Sequence, residues 1–529
     1  MRNNSLDYNL RVGTDFFINK QHTFGILASA GKTNQDNSSL NHIRISTQDT
    51  PDLIDSVLIA DNTADNSRDR YTLNMNYRFD NSKGRSINID LDYGKYKNGS
   101  DRFQPNRYYD VTEQVLFTEI INRFDTPTNI DIYTFNIDFE EPLLDGKLTF
   151  GSKLSKVISN NTFLVFDELD GKPVQNDRRS NEFEYDENVY AGYVNYARAL
   201  GKKWNFSAGL RAEQTNAVGD LRTFDVNLQE PPVEQNYLSW FPSAGLTWQV
   251  SRMHMLALNY GRRINRPDYN VLNPFRNQSS QLSLEEGNPF LLPEIVNNLE
   301  LGYTYAYRYN FKLSYSKTTD QITRLIGRQI DEVICNINNI CDTIHADPRA
   351  GFINWENLTE QTVFSLNISA PVQIKKWWSA YLNFSASYLN NQADYGEEGI
   401  VDVQAFSYSI YQQHTFELPG GFKGEVSGYF AGPGVWGGVF KYETSWSLNV
   451  GLQKKFLQDR LNVRLAADDL FFQSGWNGVS EFNGLVSTGM GRWDSRQVTL
   501  SINYRFGNSN VKSRKRKTGL ESEADRVGK

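Results

Sequence analysis

Long apolar runs are missing from this chain. None of its 529 residues belongs to a stretch approaching the ~18 consecutive apolar residues of a membrane-spanning helix, and the mean hydropathy is −0.56. The first residues lead directly into a strand-like pattern, without the apolar core of a signal peptide. The sequence therefore excludes a helical membrane protein. A chain that crosses a bilayer with strands stays open, because strands give a weak hydropathy signal.

Cysteine and an excess of positive charge are also lacking. The two cysteines, Cys335 and Cys341, lie in a polar stretch without a Cys/His cluster, so a zinc site is not expected. A small loop disulfide in an oxidising compartment is the favoured interpretation, and two free thiols are the alternative. Because the net charge is −7, no broad basic surface for nucleic acid is predicted.

Motifs that carry enzyme or metal chemistry are absent. The five histidines are scattered, without an H-E-x-x-H sequence or a pair at metal-ligand spacing, and there is no G-x-S-x-G, phosphate loop or glycine fingerprint. His414 lies in a strand-like segment, where a hydrogen-bonded wall position is favoured over a catalytic one. For 167–171, a plain turn is favoured over a calcium loop, which needs later ligands. We therefore expect no enzyme activity, no cofactor and no metal.

The dominant pattern in the chain is strand alternation. From Val498 to Phe506 every second residue is apolar and the residues between them are polar, as in a β-strand with one apolar and one polar face. Nineteen segments show this pattern, most weakly at 148–158, 183–198 and 404–417. The aromatic content is 13%, and aromatic residues at strand ends match the interfacial girdles of membrane barrels.

The connections between these segments alternate between short and long. Short turns are predicted near 19–21, 81–84, 144–147, 200–203, 251–253, 308–310, 375–377, 419–421 and 457–460. Long polar loops are predicted at 31–68, 97–130, 159–182, 216–236, 263–296, 321–355, 391–403, 432–442 and 472–494. Short turns at one end and long loops at the other are typical of an outer-membrane barrel, whereas a soluble sandwich has no reason to segregate them.

Charges on the polar face support the same fold. Facing a packed core, unpaired charges would be very costly, but facing a water-filled lumen they would not. The lumen-facing charges singled out are Asp90, Asp92, Arg211, Glu213 and Arg464. The alternative, a tandem array of soluble β domains, is disfavoured because no repeat period of 80–100 residues and no dividing linker is seen. The predicted fold is all-β: a transmembrane antiparallel up-and-down β-barrel.

Strand direction predicts an incomplete barrel. The first segment leads into a short turn and the last follows a long loop, so both run toward the periplasm if the long loops are extracellular. A closed barrel with periplasmic termini needs an even strand number, so we expect about 19 strands of a parental 22, with an open edge and an unfilled lumen. The predicted domains are 1–506, an N-terminally incomplete barrel, and 507–529, a basic periplasmic tail. For the basic run at 512–517, solvation is favoured over contact with anionic polymers.

Several segments resemble the TonB-dependent outer-membrane receptors, in particular the branch with an outer membrane protein beta-barrel domain at its C-terminal end. The most specific is Tyr260–Phe275, which resembles the exit of a strand into an extracellular loop. The others, in chain order, are Gly209–Glu213, Phe241–Ser243, Gly287–Pro289, Pro293–Glu294, Asp468–Phe471 and the tail from Phe506 through Arg514–Lys517 to Glu521. Their order and spacing carry the resemblance.

The resemblance implies the barrel of a receptor that takes part in uptake of a chelate, glycan or peptide. The alternatives are a passive porin-like or non-transporting barrel fragment, and a barrel enzyme or adhesin. Implied partners are outer-membrane lipid, the barrel-assembly machinery, and the TonB complex through a plug that is absent from this chain; long loops would be extracellular and termini periplasmic. Candidate ligand-contacting loop residues are Arg262, Arg263, Arg266, Phe275, Trp436 and Phe440.

Overall fold

A computed structural model describes residues 2–46, 53–328, 332–335, 341–344, 351–395, 399–482, 485–492, 494–506 and 518–527. These residues form 29 β-strands, one short α-helix and three single-turn 3-10 helices. The strands are β1 (Arg2–Phe17), β2 (His22–Ser46), β3 (Ile54–Asp80), β4 (Ser86–Tyr109), β5 (Leu116–Asp125), β6 (Thr128–Leu143), β7 (Gly146–Leu169), β8 (Lys172–Gln175), β9 (Asn181–Leu200), β10 (Trp204–Thr223), β11 (Val233–Gln249), β12 (His254–Asn265), β13 (Arg276–Ser280), β14 (Ser283–Glu286), β15 (Glu294–Tyr305), β16 (Tyr309–Arg328), β17 (Glu332–Cys335), β18 (Cys341–Ile344), β19 (Gly351–Lys375), β20 (Trp378–Asp394), β21 (Ile400–Leu418), β22 (Phe422–Ala431), β23 (Gly434–Trp436), β24 (Phe440–Tyr442), β25 (Ser445–Phe456), β26 (Leu461–Asp468), β27 (Gly475–Phe482), β28 (Leu485–Arg492) and β29 (Gln497–Tyr504). The helices are α1 (Glu521–Ala524) and 3-10 turns at Val226–Leu228, Pro419–Gly421 and Asp525–Val527. None of these described helices has the length and apolar character needed to cross a bilayer.

Nineteen of the described strands form the wall of a barrel, each paired antiparallel with the next one along the chain. They are β1–β4, β6, β7, β9–β12, β15, β16, β19–β22, β25, β26 and β29. The prediction of an up-and-down barrel of about 19 strands is confirmed, including the three weakly patterned segments, which lie in β7, β9 and β21.

The barrel wall is open at one seam. Among the described residues, β1 pairs only with β2 and β29 pairs only with β26. Both edge strands run toward the end of the barrel that carries the short turns, as the strand count predicts.

All nine predicted short turns occur at one end of the barrel. The β6–β7 turn has two residues, Leu144 and Asp145, with φ of 48° and 57°. The β15–β16 turn likewise has positive φ at Ala306 and Tyr307, at 51° and 54°. Two central residues with φ above zero give a turn whose twist matches that of the strands it joins. These tight turns set the register of the neighbouring strands.

The prediction of long loops was wrong in extent. The stretch 31–68 is mostly strand, because β2 continues to Ser46 and β3 begins at Ile54. Both strands have 25 residues or more, whereas about 9–11 residues suffice to cross a bilayer. Polar side chains suggested loops there, but backbone pairing continues along a register that is already set. The strands therefore extend well beyond the length that a membrane requires.

The two faces of the wall differ in polarity and exposure. In β6, Tyr133 is 47% exposed, while Thr134 next to it is 4% exposed. The outer face carries exposed apolar residues on most wall strands, such as Leu91, Leu301 and Ile502. The inner face is polar near the short turns, but in the first half of the barrel it becomes apolar toward the long-loop end, where Ile130 and Ile132 are buried. Another part of the chain must therefore cover this apolar region of the inner wall.

Candidate functional site

The connection between β12 and β15, called here the crossing loop (266–293), spans the lumen. It contains the hairpin β13–β14. On one side, β14 pairs in parallel with the start of β19, from Ser283 opposite Gly351 to Glu286 opposite Asn354. The Asn288 side chain also donates a hydrogen bond to the Trp355 carbonyl at 2.9 Å.

The opposite side of the same hairpin bonds to strands near the beginning of the barrel. The Ser279 carbonyl accepts from the side-chain amides of Asn41 and Asn62, both at 2.8 Å. The Gln104 side chain donates to the Gln278 carbonyl at 3.1 Å. Because these partners belong to β2, β3 and β4, the hairpin is held on both sides of the lumen. The prediction of an unfilled lumen is therefore wrong.

The crossing loop is anchored at its start by a buried ion pair. Arg266 Nη2 lies 2.7 Å from Glu213 Oε2 and also donates to Thr215 Oγ1 at 2.9 Å. Arg211 Nε binds the other carboxylate oxygen of Glu213 at 2.5 Å. Phe275 packs on Phe163 with ring centroids 5.0 Å apart. Arg266 and Phe275, two of the candidate ligand contacts, therefore pack against wall residues and anchor the crossing loop.

A second group of loops forms a four-stranded sheet, called here the small sheet, from β23, β24, β27 and β28. It is attached to the wall through Gly438, whose carbonyl accepts from the Asn391 side chain at 2.7 Å. Gly438 has φ +86°, and a Cβ there would lie 2.1 Å from Thr323 Oγ1, so only glycine fits this close approach. Trp436 and Phe440 lie on this sheet, and Trp436 is 62% exposed.

The last two candidate ligand contacts, Arg262 and Arg263, do not converge. Neighbouring strand residues face opposite sides. Arg262 shares the outer face of β12 with Leu258 and Tyr260, which are exposed, whereas Arg263 shares the inner face and interacts electrostatically with Glu300. The candidate residues therefore fall into three separate places: the crossing loop, the small sheet and the β12 wall.

The charges predicted to face the lumen lie on the inner face and have partners. The Asn74 amide donates to Asp90 at 3.2 Å and to Asp92 at 2.7 Å. Arg464 Nη2 donates to Glu425 Oε1 at 3.2 Å. Together with the Arg211–Glu213–Arg266 group, these contacts form polar networks along the inner wall. Each of these charged side chains therefore has a hydrogen-bonding partner.

Other sequence expectations concern single turns and side chains. His414 accepts a hydrogen bond from Trp378 Nε1 at 3.1 Å, which is a wall contact on a neighbouring strand. The stretch 167–171 ends in a plain two-residue turn with φ of 51° at Asp170 and 72° at Gly171. The backbone pairs Cys335 with Cys341 across β17 and β18, while their side chains lie outside the described residues.

Residues 518–527, called here the C-terminal segment, lie against the inner wall. The basic run 512–517 is outside the described residues. Beyond it, Leu520 packs in the hydrophobic cluster with Ile130, Ile132 and Val157. Lys153 Nζ lies 2.8 Å from Glu523 Oε2. The segment therefore covers the apolar part of the inner face, a location that the sequence analysis did not anticipate.

Arg526 joins the C-terminal segment to both the wall and the crossing loop. Its guanidinium binds both carboxylate oxygens of Glu187, at 2.5 and 3.0 Å, and donates from Nε to the Pro267 carbonyl at 2.9 Å. It also lies over the Tyr269 ring, 4.2 Å from the centroid. Burial alone would lower the pKa of Arg526, but the Glu187 carboxylate raises it well above its usual range. Burial raises the pKa of Tyr269, so its ring stays neutral beneath the charge.

A polar cavity lies beside the C-terminal segment. It has a volume of about 480 Å³. Its walls combine inner-face residues of the first four strands with the segment itself, including Asn9, Arg68, Arg70 and Asp525. The lumen in this region therefore keeps a space of small-molecule size between the wall and the segment.

A barrel of consecutive antiparallel strands, with an apolar outer face, a polar inner face and loops folded across one mouth, defines an outer-membrane β-barrel. The model of the outer membrane protein beta-barrel family matches residues 77–504. The chain belongs to that family. A comparison with curated proteins found no match.

Solved structures of TonB-dependent siderophore receptors share the fold. The ferric yersiniabactin uptake receptor FyuA from Yersinia pestis is 11% identical, with TM-score 0.52, covering 96% of this chain and 79% of that chain. The ferric-catecholate import receptor Fiu from E. coli K12 is 10% identical, with TM-score 0.54 and coverage of 95% and 81%. FpvA from P. aeruginosa bound to pyoverdine is 11% identical, with TM-score 0.51 and coverage of 95% and 70%. At these identities the likeness shows the fold.

Sequence reasoning missed the residues that fill the lumen. The crossing loop has 28 residues between β12 and β15, and a connection of that length without its own structure is unusual in a compact fold. The length of this connection therefore indicated that it contains secondary structure of its own. In the C-terminal segment, Leu520, Glu523 and Val527 recur at the spacing of one helix face. This signal was missed because the segment was interpreted, together with the neighbouring basic run, as a solvated tail.

Proposed function

We propose that this chain forms the barrel of an outer-membrane receptor that takes part in uptake of a nutrient: a chelate, a glycan or a peptide. The observation that carries the proposal is the crossing loop, which is hydrogen-bonded to both sides of the lumen. A passive pore needs an open path, whereas a receptor needs a mouth that binds its ligand and opens under control. Family membership and the shared fold with siderophore receptors support the same function.

The proposal includes an orientation and partners. Long loops face the outside, the short turns face the periplasm, and the apolar outer face contacts outer-membrane lipid. Contact with the energy-transducing TonB complex is assigned to a plug domain and not to the barrel wall. The last strand, β29, is assigned as the signal for the barrel-assembly machinery. The chain is proposed to act in transport and not as an enzyme.

Ligand contact is proposed at the exposed part of the long-loop end. Trp436 on the small sheet is 62% exposed, and an aromatic ring can hold a sugar face or an aromatic chelator. Arg266 and Phe275 are proposed as anchors of the crossing loop, because their side chains already contact Glu213 and Phe163.

Uptake and conductance measurements test this function. Deleting the gene from its host should abolish saturable uptake of one labelled nutrient among ferric chelates, oligosaccharides and oligopeptides, and the intact gene should restore it. The protein in planar bilayers should show little steady conductance, because the crossing loop obstructs the lumen. Large, constant conductance together with non-saturable, size-limited uptake would instead establish a passive pore.

A further inference from the structure

The side chain of Arg526 is held like a bound ligand. Each of its three nitrogens donates one hydrogen bond: Nη1 and Nη2 to the Glu187 carboxylate and Nε to the Pro267 carbonyl. Its flat face lies on the Tyr269 ring. The Tyr185 hydroxyl donates to Glu187 Oε2 at 3.0 Å and so positions the carboxylate. A fork-shaped acceptor with an aromatic floor fits a guanidinium and does not suit the compact ammonium of lysine.

We propose that the inner wall and the crossing loop together form a guanidinium-binding pocket, made of Glu187, Pro267 and Tyr269, and that its ligand is Arg526 of the chain's own C-terminal segment. The pocket accepts an arginine-bearing peptide in a helical conformation. This inference is independent of the proposed uptake function, because it concerns an intramolecular contact that is measured without any nutrient.

A second anchor fixes the register of the segment. The Gly519 amide donates to Asp92 Oδ2 at 3.0 Å. A Cβ at Gly519 would lie 1.9 Å from Asn136 Nδ2 and 2.6 Å from Asp92 Oδ2. No side chain fits there without displacing the wall network. The two anchors are seven residues apart, so the segment binds in one register.

The residues that follow Gly519, up to Val527, form one short helical stretch with one side against the wall. Leu520, Glu523 and Val527 are buried, while Glu521 and Ser522 are exposed as residues. Lys153 Nζ reaches the Gly519 carbonyl at 3.1 Å and the Ser522 hydroxyl at 2.6 Å. The apolar contacts and the ion pair therefore lie on the same face of the C-terminal segment. This indicates that the segment and the inner wall are complementary in shape and charge.

The pocket joins two parts of the barrel interior. Glu187 belongs to the wall strand β9, whereas Pro267 and Tyr269 belong to the crossing loop. The Tyr269 amide donates to the Arg526 carbonyl at 3.0 Å. Binding of the segment therefore fastens the crossing loop to the wall, and by linkage any ligand that moves the loop weakens the segment's binding.

Hydrogen exchange of the full chain in detergent micelles tests the contact. In the wild-type chain, the amides of 519–527 should exchange slowly. Arg526→Gln should accelerate them at least about tenfold and should also accelerate the amides of 267–291, because one buried charge loses its partner. Arg505→Gln, a matched change at an exposed arginine after β29, should change neither region. Unprotected 519–527 amides in the wild-type chain, or equal effects of both substitutions, would overturn the proposal.

Binding of a peptide in trans tests the pocket itself. The receptor is the full chain carrying Gly519→Val and Arg526→Gln, whose own segment no longer fits. A fluorescent peptide with the sequence of 518–529 should bind it, and the same peptide carrying Arg526→Gln should bind at least about 30-fold more weakly, as expected when a buried charge pair loses one partner. The peptide carrying Arg526→Lys should lie between them. Equal affinities, or no binding of the unsubstituted peptide, would refute the guanidinium pocket.

Discussion

Two ion pairs on the inner face show how differently the two halves of the barrel are covered. In the first half, the side chains of Glu213 and Arg266 are 8% and 13% exposed. In the second half, those of Glu425 and Arg464 are 31% and 44% exposed. Both pairs join a glutamate and an arginine at hydrogen-bond distance. The two pairs therefore differ in how far neighbouring residues cover them, and not in residue type. The start of the crossing loop and the C-terminal segment lie on the first half, and they cover its inner face there.

This difference shows where the lumen is occupied. The first half supplies hydrogen bonds to the hairpin from β2, β3 and β4, and it supplies the apolar patch and the pocket that hold the C-terminal segment. The second half contributes the start of β19 and the support of the small sheet. Any movement that opens a path is therefore expected along the second half, where fewer contacts must break.

The largest effect is expected from removing the shared carboxylate in the first half. Glu213→Ala would leave Arg211 and Arg266 next to each other without it, and Arg266 is buried. Breaking a buried pair by removing one partner costs about 3–5 kcal/mol, because a charge stays buried and uncompensated. Denaturant unfolding in lipid vesicles, followed by tryptophan fluorescence, measures this loss. A loss below about 1 kcal/mol would mean that water reaches this pair as it reaches the exposed pair.

A somewhat smaller loss is expected from the apolar patch on the first half. Ile132 is fully buried against the cluster that contains Leu520, so Ile132→Ala should cost about 2–4 kcal/mol through lost burial and a cavity. Ile502→Ala on the last strand is the matched control, because Ile502 lies 65% exposed on the lipid-facing side and its truncation leaves no cavity inside the protein. The same unfolding measurement compares them. Equal losses would show that the C-terminal segment does not cover the inner wall.

The support of the small sheet depends on backbone geometry. Gly438→Ala should weaken its attachment by about 1–3 kcal/mol, since the residue has φ +86° and its new Cβ would meet Thr323. Gly437→Ala is the matched control: Gly437 has φ +55°, and nothing lies within 4 Å of its Cβ position. Hydrogen exchange of 432–444 should accelerate more in the first variant. Equal acceleration in the two variants would show that the clash with Thr323 adds nothing to the cost of a positive φ, which both positions share.

The wall was predictable because its signals are local. Strand alternation such as that of Val498–Phe506 and the spacing of the short turns need only neighbouring residues, and all nine turns and 19 strands were recovered. The extent of the strands was not predictable in the same way. Long, mostly polar stretches interrupt the pattern of β2 and β3 at 32–39 and 61–70, and only the register set by the turn at 18–21 and by the neighbouring strands shows that they stay paired.

The contents of the lumen were not predictable, because their partners lie far away in the chain. Asn41 and Ser279 are 238 residues apart, and Glu187 and Arg526 are 339 residues apart. Each of these residues alone is an ordinary polar residue. For the same reason Arg266 and Phe275 were predicted as ligand contacts: an arginine or an aromatic ring in a loop has the same appearance in sequence whether it binds a ligand or anchors the loop.

The smallest effect is expected at the exposed pair of the second half. Glu425→Ala removes the partner of Arg464, whose side chain is 44% exposed. Exposed ion pairs contribute about 0–1 kcal/mol, because water and salt replace the lost partner. The loss should also shrink when salt is raised, since screening weakens exposed charges more than buried ones, whereas the loss from Glu213→Ala should be nearly independent of salt. If both variants show the same salt dependence, then the two inner faces are equally hydrated, and the crossing loop and the C-terminal segment do not exclude water from the first half.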